Sequence, residues 1–181
     1  MQPLPQHYTD VVRKTVRFSC LMVIFALITG VLYQESAKKL GYGDAPAGLH
    51  LEAVLQLAVV HGHAFLITVV LPLAMIGALL LARMIGGAEV SPRATALLGR
   101  GYLHFGALAL VLMLYKGYAM LLGVRGGNTD LADIDASMFG GSAGMRHGLY
   151  GIIHVGMAFC LGYFAIAVWH SLGKARMNQG E

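Results

Sequence analysis

The stretch VVHGHAFLITVVLPLAMIG, residues 59–77, is apolar along almost its whole length but contains two histidines one residue apart. About 20 apolar residues are enough to cross a bilayer as an α-helix, because each residue adds about 1.5 Å. An imidazole without a partner in hydrocarbon costs on the order of several kcal/mol. The stretch therefore predicts a transmembrane helix in which His61 and His63 bind something.

The composition of the whole chain extends this prediction. Of the 181 residues, 57% are apolar and only 12% are charged, about half the charged fraction of a soluble domain. Four apolar runs are visible, near 16–34, 53–84, 95–124 and 145–172. We expect residues 1–181 to form a single transmembrane domain, an all-α integral membrane four-helix bundle, with the first run kept as an uncleaved helix. The polar segment 125–144 has no hydrophobic period and is expected to be a loop.

Basic residues are distributed unevenly about the four predicted spans. Eight lie on one side, namely Arg13, Lys14, Arg17, Arg83, Arg93, Arg100, Lys174 and Arg176. Four lie on the other side, namely Lys38, Lys39, Arg125 and Arg146, among acidic residues. The positive-inside rule therefore predicts that both termini are cytoplasmic.

This sidedness accounts for the net charge of +4. No basic cluster is interleaved with aromatic residues, which argues against nucleic acid as a partner and leaves membrane lipid as the expected surroundings. Cys20 and Cys160 belong to no CxxC or CxxCH motif. A structural disulfide, a thiolate metal site and covalently attached c-type heme are therefore not expected.

Five of the eight histidines fall within the predicted spans: His61, His63, His104, His147 and His154. Ionisable side chains inside a membrane are candidates for function. His61, His63 and His154 fall in the outer half and His147 near the outer surface. His104 is nearer the cytoplasmic half, where a plain helix-to-helix hydrogen bond is an equal alternative. The other three histidines, His7, His50 and His170, are expected to be solvated or interfacial.

Helical geometry limits which histidines can share a ligand. At about 100° per residue, His61 and His63 point about 200° apart and cannot bind one metal from one helix. His147 and His154 share a face but are about 10 Å apart along the axis. At that separation, one of the two can bind a metal while the other contacts the edge of a large cofactor.

The residue types favour heme b as that cofactor. Zinc or copper sites favour carboxylates, cysteines or clustered methionines, whereas the predicted spans contain no Asp or Glu. A heme iron accepts neutral histidines, and its macrocycle fills apolar space between helices. Gly62, Gly106, Gly148, Gly151 and Gly156 offer room for it, although close helix packing explains glycines equally well.

Two basic residues are candidates for contact with a propionate of this heme. Arg146 lies beside His147 at the outer end of the last span and is either a propionate partner or a surface cation. Lys116 lies in the outer half of the third span, where it can pair with a carboxylate or a propionate, or extend to the interface.

The opening stretch resembles two helices of subunit I of the heme-copper oxidases. His61-Gly62, then Pro72, then Gly77 is similar to the second helix of that subunit, where the histidine binds the low-spin heme. His61 and His63 also resemble the His-x-His of its tenth helix, where each imidazole faces a different heme. The resemblance implies that His61 is an axial ligand of noncovalent heme b.

The whole chain also resembles a small bacterial family of four-helix membrane proteins with His-x-His in the second helix and Gly-x-x-His in the fourth, here Gly151 to His154. Because subunit I consists of three similar four-helix units, this resemblance implies a homo-oligomer, with a trimer favoured, in the bacterial inner membrane. The residues of the oxidase copper site are absent, so oxygen reduction is not implied.

These observations leave three hypotheses. The first is a b-type cytochrome for electron transfer, with a quinol or a redox protein as donor. The second is a heme-based gas or redox sensor or a heme-handling protein, and the third is a copper-binding oxidase assembly factor or transporter. Within the first, His61 pairs either with His154 of the same chain or with His63 of a neighbouring chain, and only the second pairing uses both histidines of the opening stretch.

Overall fold

The computed structural model describes residues 4–38 and 48–177. These residues form five helices: α1 Gln6–Lys38, α2 Leu49–Met84, α3 Pro92–Arg125, α4 Leu131–Ser137 and α5 Ala143–Met177. All except α4 are long and apolar enough to cross a membrane. The prediction of an all-α membrane bundle with four spanning helices is thus confirmed, while Lys39, counted above for the outer side, lies outside the described residues.

The helices alternate in direction, so the bundle has two distinct ends. At the inner end, the backbone N–H of Val90 donates to the Tyr8 hydroxyl at 2.7 Å, and that of Ala88 donates to the Ser171 carbonyl at 3.0 Å. This end holds the start of α1, the turn between α2 and α3, and the last part of α5. The outer end holds Lys38, Leu49 and α4. The assignment of the inner end to the cytoplasm stays a prediction.

The segment 125–144 was expected to be a loop, and this prediction was wrong for part of it. Asp130 caps α4 because its Oδ1 accepts hydrogen bonds from the backbone N–H groups of Ala132 at 2.9 Å and Asp133 at 3.1 Å. Ile134 is buried against Gly123, where a Cβ would lie 2.6 Å from Ile134 Cδ1. A local cap and a tertiary contact therefore stabilise a helix too short to show a hydrophobic period.

The largest core cluster lies in the inner half and uses all four long helices. It includes Tyr8 of α1, Leu79 of α2, Leu98 of α3 and Phe164 of α5. Gly101 allows α3 and α5 to approach closely there, because a Cβ at this position would lie 2.4 Å from Cys160 Sγ. The inner half is therefore the tightly packed part of the bundle.

The core of the outer half comes from three helices. Its two clusters contain Met22 and Ala26 of α1, Ala64 and Leu57 of α2, and Leu110 of α3, but no residue of α5. Towards the outer end, α5 packs mainly against α3. One flank of α2 and much of α5 are consequently left exposed at the level of the candidate histidines.

Pro72 interrupts the regular hydrogen bonding of α2. The backbone N–H of Leu71 donates to Leu66, five residues back, and Pro72 has no N–H, so the carbonyls of Ile67 and Thr68 lose their usual donors. Other helices supply the missing donors: the Tyr102 hydroxyl donates to Ile67 O at 2.7 Å, and the Ser19 hydroxyl donates to Thr68 O at 3.3 Å. Neighbouring side chains thus satisfy the freed backbone groups inside the membrane.

Candidate functional site

His61 lies at the interface of α2 with α1. Its Nδ1 is 2.8 Å from the carbonyl oxygen of Ala26, and its ring meets Phe65 edge-on with centroids 5.4 Å apart. Gly30 provides the space for the ring, since a Cβ there would lie 2.9 Å from His61 Nδ1. The ring is thus held by contacts to α1 and by its own helix.

His63 lies on the opposite edge of α2 and is half-buried. Its Nδ1 is 2.9 Å from the carbonyl oxygen of Val59, one turn earlier in the same helix. Glu52 and Gln56, seven to eleven residues before His63, line a groove against Lys116 and α4 at the outer end. The two histidines of the opening stretch therefore have different surroundings, as their helical spacing predicts.

His154 lies on the exposed surface of α5. Its Nδ1 is 2.8 Å from the carbonyl oxygen of Tyr150, and the Tyr150 hydroxyl donates to Leu112 O of α3 at 3.1 Å. Tyr150, whose carbonyl orients the His154 ring, is therefore itself hydrogen-bonded to α3.

The three imidazoles share one property that bears on metal binding. A carbonyl oxygen can only accept a hydrogen bond, so each Nδ1 must carry the proton. In the neutral ring Nε2 then keeps its lone pair. Histidines that bind metals almost always donate their other N–H to a carbonyl, a carboxylate or water, which fixes the tautomer and the ring orientation. In His61, His63 and His154 the Nδ1 contact therefore leaves the Nε2 lone pair unused by that hydrogen bond.

The structure does not bring these histidines together within one chain. In residues 4–38 and 48–177, no hydrogen bond or ring contact joins His61, His63 and His154. Likewise, the described residues contain no group of three or more His, Cys, Asp or Glu side chains that could hold a metal ion. His61 faces α1, while the outer part of α5, which carries His154, packs against α3.

The two basic candidates meet a protein carboxylate. Lys116 Nζ is 2.8 Å from Asp135 Oδ1, and Arg146 Nη1 is 3.4 Å from Asp135 Oδ2 and also donates to the Asp135 carbonyl. Of the roles predicted for Lys116, pairing with a carboxylate is the one found. Arg146 Nε is buried and has no acceptor among the described residues. Arg146 thus retains one donor for a further anionic group.

The other histidines differ in how they match expectation. His147 is exposed at the outer end of α5. His104 is also exposed and makes no helix-to-helix hydrogen bond within the described ranges. His7, expected to be solvated or interfacial, is half-buried at the inner end with Nε2 3.0 Å from Val90 O. The amphipathic start of α1 packs it against the turn between α2 and α3.

The glycines expected to make room for a cofactor fall into two groups. Protein side chains fill the space at Gly106 and Gly156, where Ile67 and Phe105 respectively lie within 4 Å of an added Cβ. Gly62, Gly148 and Gly151 have nothing within 4 Å of that position. Only this second group, close in sequence to His61, His63 and His154, is free to receive a flat apolar group.

Sequence reasoning missed the partners of the site. Ser19 and Tyr102 hold the backbone between the histidines and Pro72, and Tyr102 is 1% exposed. Comparison with protein-family models, with curated proteins and with solved structures finds no match. The function is therefore inferred from the site itself.

Proposed function

We propose that this chain is a membrane-bound b-type cytochrome that transfers electrons and binds heme b noncovalently near its outer end. The observation that carries the proposal is the shared state of three imidazoles. His61, His63 and His154 each donate Nδ1–H to a backbone carbonyl at 2.8–2.9 Å, which leaves Nε2 as a ligand.

Heme suits dispersed histidines better than a bare metal ion does. A structural zinc or copper site takes three or four protein ligands, and no such group occurs among the described residues. A heme iron takes at most two protein ligands, because the porphyrin supplies four nitrogens. Bound heme would supply one-electron chemistry by cycling between its ferric and ferrous states.

We further propose that the heme lies between identical chains, most simply in a trimer. His61 and His63 lie on opposite edges of α2, so the two would serve different hemes. Gly62, Gly148 and Gly151 lie on exposed helix surfaces without neighbours, and such surfaces allow a flat apolar group or another helix to approach. This arrangement gives both histidines of the opening stretch a role.

Each remaining candidate then has a distinct part in the proposal. His154 is either the alternative axial ligand, paired with His61 in one chain, or a group that supports the macrocycle. Arg146 would donate its free Nε–H to a propionate, while His147 would lie near the edge of the cofactor. Lys116 keeps Asp135 neutralised and helps to hold Arg146 in place.

A visible spectrum of the protein purified after expression with heme supply tests the proposal. We expect sharp α and β bands on reduction and complete removal of the pigment by acid acetone. A colourless protein, or heme retained on the chain, would contradict it. Broad bands with CO binding would instead favour a sensor, and copper without heme would favour the copper-binding hypothesis.

Single substitutions distinguish the two pairings of ligands. If His61 and His63 of neighbouring chains share an iron, His61→Ala and His63→Ala should each lose the low-spin spectrum, and mixing the two mutant chains should restore part of it. If His61 pairs with His154, His63→Ala should keep a full spectrum while His154→Ala loses it. His104→Ala is the matched control, since His104 is exposed but its ring is not fixed by a carbonyl.

A further inference from the structure

A groove of about 450 Å³ opens at the inner end of the bundle, between the first turns of α1 and the start of α3. Gly99 of α3 lies where the two helices meet. A Cβ at Gly99 would lie 3.1 Å from Val11 Cγ2 and 3.9 Å from Lys14 Cδ. The polar side chains that line the groove include Asp10 and Lys14 of α1 and Thr95 and Arg100 of α3.

The charge of this groove is positive. Lys14 and Arg100 are exposed, and within the described ranges no carboxylate lies at ion-pair distance from either. The carboxylate of Asp10 accepts a hydrogen bond from Gln6 Nε2 at 2.9 Å. Two cations without a protein partner thus face one groove, which suits an anion that accepts several hydrogen bonds.

The position of the groove along the spans indicates which anion fits. On α1, Lys14 comes just before the apolar run that starts near residue 16, so its ammonium lies at the membrane boundary. On α3, Arg100 is followed by Leu108 and Val111, which are exposed where acyl chains would contact them. The groove therefore lies at the level of lipid phosphates, with an exposed apolar surface beyond it.

His104 lies on α3 one turn beyond Arg100, between the level of the lipid phosphates and the exposed apolar surface. It is exposed and has no hydrogen-bond partner in the described part of the chain. An unpartnered imidazole at the edge of hydrocarbon is costly. The ester carbonyls of a glycerophospholipid lie at this depth, just below the phosphate, and can accept its N–H.

We infer that this groove binds an anionic glycerophospholipid of the inner leaflet. Lys14 and Arg100 bind the phosphate, His104 donates to an ester carbonyl, and the acyl chains lie along the exposed surface of α3. This site is separate from the candidate heme site, because it lies at the other end of the bundle.

The test is a binding titration of the purified, detergent-solubilised protein with phosphatidylglycerol and with phosphatidylcholine, followed by native mass spectrometry. Each direct contact of Lys14 or Arg100 with the lipid phosphate should contribute about fivefold to affinity, so Lys14→Gln with Arg100→Gln should weaken phosphatidylglycerol binding about 25-fold. Arg13→Gln with Arg93→Gln is the control. It removes the same charge from exposed positions on the same helices that do not line the groove.

The site is supported if the control variant, with Arg13→Gln and Arg93→Gln, keeps the wild-type affinity within about twofold. The variant with Lys14→Gln and Arg100→Gln should at the same time bind phosphatidylglycerol much more weakly. Equal losses in both pairs would overturn it, because attraction would then come from the basic surface as a whole. Competition by soluble glycerol phosphate as effective as that by the lipid would also overturn it, since the ligand would then be a free phosphate. His104→Leu should weaken binding about fivefold, and an unchanged affinity would overturn the ester contact.

Discussion

The inner and outer halves of this bundle are built from the same helices but packed in different ways. In the inner half, α5 inserts Cys160, Phe164 and Val168 into a core shared by all four long helices. In the outer half, α5 adds no residue to the core clusters, and its side chains are mostly exposed. The difference separates a tightly packed inner half from a more open outer half, where the candidate histidines lie.

Glycine has opposite uses in the two halves. In the inner half, Gly101 lets α3 pack closely against Cys160, so the neighbouring helix fills the space that a side chain would occupy. Gly148 and Gly151 in the outer half of α5 have no neighbour within 4 Å of an added Cβ. The same residue type therefore packs helices together in one half and leaves an open surface in the other.

The largest effect on stability is expected from truncating a buried side chain in the core of the inner half. Phe164 is 0% exposed, so Phe164→Ala removes packing that no lipid can replace and should lower the unfolding free energy by about 2–3 kcal/mol. This value lies at or below the lower end for soluble cores, because lipid is as apolar as the protein interior. Unfolding in mixed micelles of mild detergent and SDS, followed by circular dichroism, measures it.

Phe159 on the same helix provides the matched control. It is 61% exposed, so Phe159→Ala should change the unfolding free energy by less than about 0.5 kcal/mol. Equal losses for the two substitutions would contradict the tight packing of Phe164 in the core of the inner half.

The spanning helices could be predicted from the sequence because apolar composition over 20 or more residues is a strong signal. The short helix α4 could not be predicted in the same way, since Leu131 and Ile134 are its main apolar residues. Asp130 did carry a local signal, because an aspartate before a short run of helix-forming residues is typical of an N-cap. The contact between Ile134 and Gly123 depends on tertiary packing and leaves no local pattern.

The sequence singles out the candidate histidines but not the groups that fix their rings. His61 and His63 stand out because imidazoles are rare in apolar spans. The group that fixes His61 is the carbonyl of Ala26 on another helix, and every residue has a carbonyl, so no residue type marks it. The sequence likewise indicated Arg146 as a candidate but not Asp135 as its partner, because Asp135 lies in α4, the short helix that was expected to be part of a loop.

A smaller effect is expected at the junction of the two halves, where Pro72 frees the carbonyl of Ile67. Tyr102→Phe removes the donor to that carbonyl and should cost about 1 kcal/mol of unfolding free energy. Pro72→Ala restores a backbone N–H that can donate to Ile67 O, five residues back, as Leu71 does to Leu66. Tyr102→Phe should therefore lower the unfolding free energy by clearly less in that background. The same SDS unfolding assay gives this double-mutant cycle, and Tyr163→Phe on the exposed surface of α5 is its control. Equal costs in both backgrounds would show that the hydroxyl does not replace the missing N–H.

The smallest effect on overall stability is expected at the outer end, where Asp135 joins α4 to Lys116 and Arg146. Asp135→Asn removes both ion pairs but keeps the bond from Arg146 to the backbone carbonyl, so global stability should fall by less than about 1 kcal/mol. The amide hydrogens of α4 should nevertheless exchange faster, because local opening of the helix becomes easier. Asp133→Asn makes the same change of charge on an exposed residue that forms no ion pair among the described residues, and it should leave Lys116 and Arg146 in place. Equal exchange rates in the two variants would contradict a role for Asp135 in holding the outer end together.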